Sequence, residues 1–158
     1  MTEIDRIERE LEQLGELRRS LKERADEQLE KLHMVADEAF SLGMDYMEVH
    51  ENTKITKVAA WQWEKEFKAR GISLPAMRSL REVTDELISV GALWRELDDQ
   101  FEKATASLKQ AVVEAAHHDL PKKKVARLAQ INRGTQRVWV EGGDWNPARG
   151  RKAPAGGQ

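Results

Sequence analysis

The chain has 158 residues, of which 40% are hydrophobic and 34% charged, with a formal charge of −2 and no cysteine. Without cysteine there is no disulfide, no thiolate metal site and no thiol nucleophile. No apolar run approaches the ~18 residues of a membrane span, and the charged start MTEIDRIERE has no apolar core of a secretory signal. The expected setting is therefore cytoplasmic. The small net charge hides an asymmetry. Residues 1–40 carry 7 basic and 12 acidic side chains, residues 76–119 carry 5 and 9, and residues 120–158 carry 9 and 2. An acidic body with a basic end directs attention to a polyanionic partner at the C-terminus.

Residues 1–42 read as one long helix. Ile4, Ile7, Leu11, Leu14, Leu21, Ala25, Leu32 and Val35 occupy the a and d positions of a heptad, with Arg18 and Gln28 as polar exceptions. Gly15 reads as a weak spot, worth about 1 kcal/mol against Ala. Gly43 ends this helix, and residues 43–70 read as two short helices around Ile55, with Thr56 as the N-cap of the second. Residues 71–75, GISLP, form a linker, in which Ser73 before Pro75 reads as a helix start. A second long helix is expected over residues 76–119, with a seam of Leu80, Val83, Leu87, Val90, Trp94, Leu97, Phe101, Ala104, Leu108, Ala111 and Ala115. Asp119-Leu120-Pro121 stops it. Residues 120–141 again read as two short helices, and the Gly- and Pro-rich residues 142–158 read as a flexible basic tail.

A shift of 76 superposes the two halves. Ile4 meets Leu80, Ile7 meets Val83, Leu11 meets Leu87, Val49 meets Val125, Ile55 meets Ile131 and Trp63 meets Trp139. The fold expected is all-α, with two long coiled-coil helices, each followed by a small helix-turn-helix unit, related by internal duplication. The simplest packing lays residues 4–32 antiparallel against 80–108. The competing arrangement is an intermolecular coiled coil, making a homodimer, because an a/d seam does not name its partner.

In KKKVARLAQINRGTQRVW, residues 122–139, Val125 and Leu128 mark a first short helix. Asn132 caps a second, whose Thr135, Val138 and Trp139 share a face and leave Arg133, Gln136 and Arg137 on the outer face. This stretch resembles the helix-turn-helix of the Fis-type and wider homeodomain-like families, most closely over INRGTQR. The resemblance implies that the second helix enters the DNA major groove, with Asn132, Arg133, Thr135 and Arg137 facing DNA. It covers about twenty residues. Many members have Gly before the Ile, where this chain has Gln130, so a slightly different turn is expected.

Arg133 and Arg137 are suited to bidentate contact with guanine, with Gln136 beside them, and Lys122, Lys123 and Lys124 to phosphates. Of the two helix-turn-helix units, or heads, the first, residues 43–70, reads as a degenerate copy. His50 replaces the small Ala126, Trp61 replaces Arg137, and Asp45, Glu48 and Glu51 stand opposite Pro121, Lys124 and Arg127. Lys54, Thr56 and Lys57 remain as its DNA-binding candidates. In the tail, Arg149-Gly150-Arg151-Lys152 resembles an AT-hook core for a narrow minor groove. His117 and His118 are adjacent and cannot form an i, i+4 ligand pair. No catalytic constellation, metal site or cofactor motif is read, and no small-molecule substrate or membrane partner is expected. The sequence expectation is a double-stranded DNA-binding protein, transcriptional or architectural and nucleoid-associated. The alternatives are a phage terminase small subunit-like protein and a coiled-coil interaction scaffold or inhibitor.

Overall fold

The computed structural model describes residues 2–71, 75 and 77–142. These residues form six helices and no strand: α1 Glu3–Ser41, α2 Tyr46–Thr53, α3 Lys57–Arg70, α4 Leu80–His117, α5 Lys122–Ala129 and α6 Arg133–Val140. The chain is all-α. Ser73 lies outside the described residues. α4 begins four residues later than the expected Ala76, because Ser79 and Glu82 form a reciprocal cap there. The Glu82 amide donates to Ser79 Oγ at 3.1 Å and the Ser79 amide to Glu82 Oε1 at 3.0 Å.

Both long helices end in the same way. Gly43 turns left-handed at φ 98, and the Met44 amide reaches back to the Ala39 carbonyl at 3.0 Å. Asp119 turns left-handed at φ 57, and the Leu120 amide reaches the Ala115 carbonyl at 3.1 Å. Each closes the last turn and buries the following apolar residue, Met44 or Leu120. The same spacing recurs in the heads. Lys54 and Gln130 both sit in the left-handed region, at φ 64 and φ 56, and Thr56 and Asn132 both cap the helix that follows.

The chain divides into two compact units that cut across both long helices. The terminal unit combines Met1–Leu21 with Gln100–Gln158, of which residues 2–21 and 100–142 are described. The middle unit is Lys22–Asp99. Within the terminal unit, α1 and α4 run antiparallel: Arg6 meets Glu114 at 2.7 Å, and Arg18 donates to Thr105 Oγ1 at 2.9 Å. Within the middle unit, Arg78 reaches Glu38 and Lys31 approaches Glu86. These pairs displace the expected register of 4–32 against 80–108 toward the C-terminus of α4, by about one helical turn in the middle unit and two to three in the terminal unit. Each unit includes its pair of short helices in its core.

The seams are the core. Ile7 and Leu11 pack with Leu108, Ala111, Val112 and Ala115, and with Val125, Ala129 and Trp139 of α5 and α6. Leu32, Val35, Val83 and Leu87 pack with Val49, Ile55 and Ala60 of α2 and α3. Ile4 and Leu80, the first apolar residue of each seam, stay exposed. Gly15 is no weak spot. A Cβ there would stand 2.7 Å from the Ala129 carbonyl oxygen and 2.8 Å from that of Leu128, so only glycine lets α5 end against α1. Gly91 of α4 seats the end of α2 in the same way, since an alanine Cβ at that position would stand 3.0 Å from Thr53 Cα.

Candidate nucleic-acid interface

α5 opens unusually. Pro121 precedes it without a side-chain cap, and Lys122 and Lys123 stand exposed in its first turn. Cations there oppose the helix dipole, so they do not serve helix stability; they suit an external anion approaching the free amides. α2 does the reverse. Asp45 caps it, accepting from the Glu48 amide at 2.9 Å, while Glu48 reaches back to the Asp45 amide at 3.3 Å.

The turn of the second head adopts the left-handed conformation without glycine. Gln130 holds φ 56 and ψ 45, and its side chain donates to Glu16 Oε1 at 3.1 Å. Asn132 then caps α6, its Oδ1 accepting from the Thr135 amide at 2.7 Å. Val125, Ala126 and Ala129 face inward from α5, and Gln136 and Trp139 from α6. This leaves Arg133, Gly134 and Arg137 outward. Arg133 and Arg137 are one turn apart on one face. The Arg137 side chain is 77% exposed, with Glu141 at 4.0 Å.

Gln136 departs from the outer face assigned to it. It is buried to 5% exposure, and its Nε2 donates to the Lys122 carbonyl at 3.0 Å, tying α6 to the start of α5. The inward stripe of α6 is set by Trp139, and Gln136 lies three residues before it on the same face. Lys124 is separated from its neighbours. Its Nζ lies 2.7 Å from Glu8 Oε2 and is half-buried against α1. Thr135 is half-buried, whereas Lys122, Lys123 and Arg133 are open. Arg127, absent from the sequence candidates, is exposed one turn beyond Lys123, and that i, i+4 spacing was the available signal. Arg149, Arg151 and Lys152 lie outside the described residues.

In the first head, Lys54 and Lys57 are exposed. The Thr56 hydroxyl accepts from the Ala59 amide at 3.1 Å as the cap of α3. His50, expected to crowd its position, instead turns its Nδ1 to the Ile55 carbonyl across the turn. Where α6 shows Gly134 and Arg137, α3 shows Val58 at 75% exposure and Trp61 at 46%, with the Lys65 ammonium 4.9 Å above the Trp61 ring. No family model, curated protein or solved structure matches this chain.

Proposed function

We propose that this chain binds double-stranded DNA through its second head, with α6 in the major groove and the N-terminus of α5 on the phosphate backbone. The observation that carries this reading is the outward pair Arg133 and Arg137, flanked by Lys122, Lys123 and Arg127. Lys122 and Lys123 stand exposed against the dipole of an uncapped helix start, and phosphate is the partner that rewards them. Arg fits guanine O6 and N7 bidentately, and Gly134 between the two arginines removes side-chain bulk from the approaching face. Fis-type resemblance over residues 122–139 supports the same docking. The biological role we infer is transcriptional regulation or DNA architecture at the nucleoid.

The finer architecture belongs to the same proposal. The recurrence at 76 residues of helix ends, left-handed residues, N-caps and the seating glycines Gly15 and Gly91 supports an internal duplication. The a/d seams support coiled-coil packing of the long helices. A second reading, in which the first head docks a protein, is favoured by the exposed Val58 and Trp61.

Fluorescence anisotropy on random-sequence duplexes tests the proposal. Affinity should fall steeply with salt as bound counterions are released. No binding at about 50 mM salt with any duplex would sink it.

A further inference from the structure

We propose that the groove enclosed by the end of α4, α5 and α6 is a binding site for a small aromatic acid that carries a hydrogen-bond donor. The groove has a volume of about 790 Å³ and its walls include Val112, Ala116, Leu120, Val125 and Val140. That size and lining suit a small-molecule site.

Three observations define the ligand. The first is a contrast with the middle unit. Seventy-six residues before Ala116 stands Phe40, which is buried there and packs against Phe67 at 5.8 Å between ring centroids. Phe67 lies on the two extra turns by which α3 outlasts α6. The same place in the fold is thus filled by the chain's own aromatic rings in one unit and is left open by the described residues of the other, so an aromatic body fits it. The second is Gln136, which lines the groove where the middle unit has the buried Ala60. Its Oε1 is buried and has no hydrogen-bond partner among the described residues, although its Nε2 is satisfied by Lys122. An unmatched buried acceptor is costly, and a small turn of the Gln136 amide toward the groove would let a ligand N–H or O–H satisfy it. The third is charge. Lys122, Arg133 and Arg137 also line the groove, against Asp119 and Glu141, which leaves an excess of cations for a carboxylate.

Arg133 and Arg137 line both this groove and the proposed DNA face, so an occupied groove should weaken DNA binding. That consequence rests on the proposed function; the site itself does not.

The test uses the full chain with methyl-labelled Val and Leu, titrated with indoleacetate and followed by NMR. Saturable shifts are expected at Val112, Leu120, Val125 and Val140, with a dissociation constant on the order of 1 mM for so small a ligand. N-methylation of the indole removes the donor and should weaken binding about fivefold. Ala116→Phe, copying the middle unit, should abolish the shifts while leaving the thermal melt intact. Absence of saturation by about 5 mM, shifts that persist in Ala116→Phe, or equal affinity for the N-methyl probe would each overturn the site. In the DNA arm, saturating indoleacetate should raise the dissociation constant for DNA about tenfold, and not in Ala116→Phe. DNA bound equally with and without indoleacetate overturns the effector role. A chain that binds no DNA overturns that role together with the proposed function, and the methyl titration then decides the site alone.

Discussion

At the first turn of α5 stand Lys122 and Lys123; at the matching turn of α2 stand Tyr46 and Met47, between a capping Asp45 and Glu48. On the outward face of α6 are Arg133 and Arg137; on that of α3 are Lys57 and Trp61. The backbones agree closely enough to share left-handed residues, N-caps and a seating glycine. One backbone device therefore carries two surfaces. Where α2 follows the rules for a stable helix start, α5 breaks them, and a broken local rule points to function. If that contrast means what we propose, Arg133→Ala with Arg137→Ala should weaken DNA binding by about 2–6 kcal/mol, taken additively over two bidentate contacts. Lys57→Ala with Trp61→Ala should change it less than about twofold. Anisotropy titrations of both double variants compare the heads directly, and equal losses would erase the distinction.

The seating glycines differ in tightness, and that also can be measured. An alanine Cβ at position 15 meets backbone atoms of Ala129 and Leu128 at 2.7–2.8 Å, whereas at position 91 its nearest neighbour is Thr53 Cα at 3.0 Å. Helix propensity favours Ala over Gly by about 1 kcal/mol at either site. Overpacking costs about 1–3 kcal/mol, and backbone cannot swing aside as a flexible side chain would. Gly15→Ala should therefore lower Tm, by up to roughly 8 °C, and Gly91→Ala by less or not at all. Circular dichroism melts check this. A rise in Tm for Gly15→Ala would mean that α5 does not end against α1 as described.

Much of this fold is legible in the heptads and breakers. An apolar seam must be buried, and the residues from Ile7 to Val35 and from Val83 to Ala115 are largely inside. Gly43 and Asp119 stop the helices where their sequences break. What escapes the sequence is long-range. Lys124 belongs with its lysine neighbours by composition, and only the fold brings Glu8 to it. The antiparallel register also escapes the sequence, because an a/d seam does not name its partner. Gln136 reads as polar and outward until Trp139 fixes the inward stripe of α6. The Ser79–Glu82 cap was legible, but Pro75 is the stronger local signal and draws the expected start too early.

The turns give a smaller contrast. A non-glycine residue in the left-handed region costs roughly 1–2 kcal/mol. Lys54→Gly removes that strain and should stabilise the chain by about 0.5–1 kcal/mol after the added freedom of the unfolded chain is subtracted. Gln130→Gly removes the same strain but also the bond to Glu16, so its gain should be smaller. Chemical denaturation of the two variants orders them, and a larger gain for Gln130→Gly would show that the bond to Glu16 contributes nothing.

The smallest effect is an acid response within the middle unit, where two carboxylates pull in opposite directions. Hydrogen bonds from Arg78, at 3.0 and 2.6 Å, hold the Glu38 carboxyl below its ordinary value of 4.5. A folded-state pKa that is depressed contributes stability above the unfolded value, and this is lost as pH falls through the folded one. Burial raises the Asp98 carboxyl above its ordinary 3.8. There the folded state binds the proton more readily, so stability rises as pH falls through the raised value toward 3.8. Partial exposure limits either effect to about 0.5–1 kcal/mol. Arg78→Ala should therefore flatten the loss of stability below pH 4.5, and Asp98→Asn should raise stability at neutral pH and remove the opposing gain in acid. Denaturant midpoints measured from neutral pH into acid separate the two. An acid loss that Arg78→Ala leaves unchanged would move the source of acid sensitivity away from Glu38.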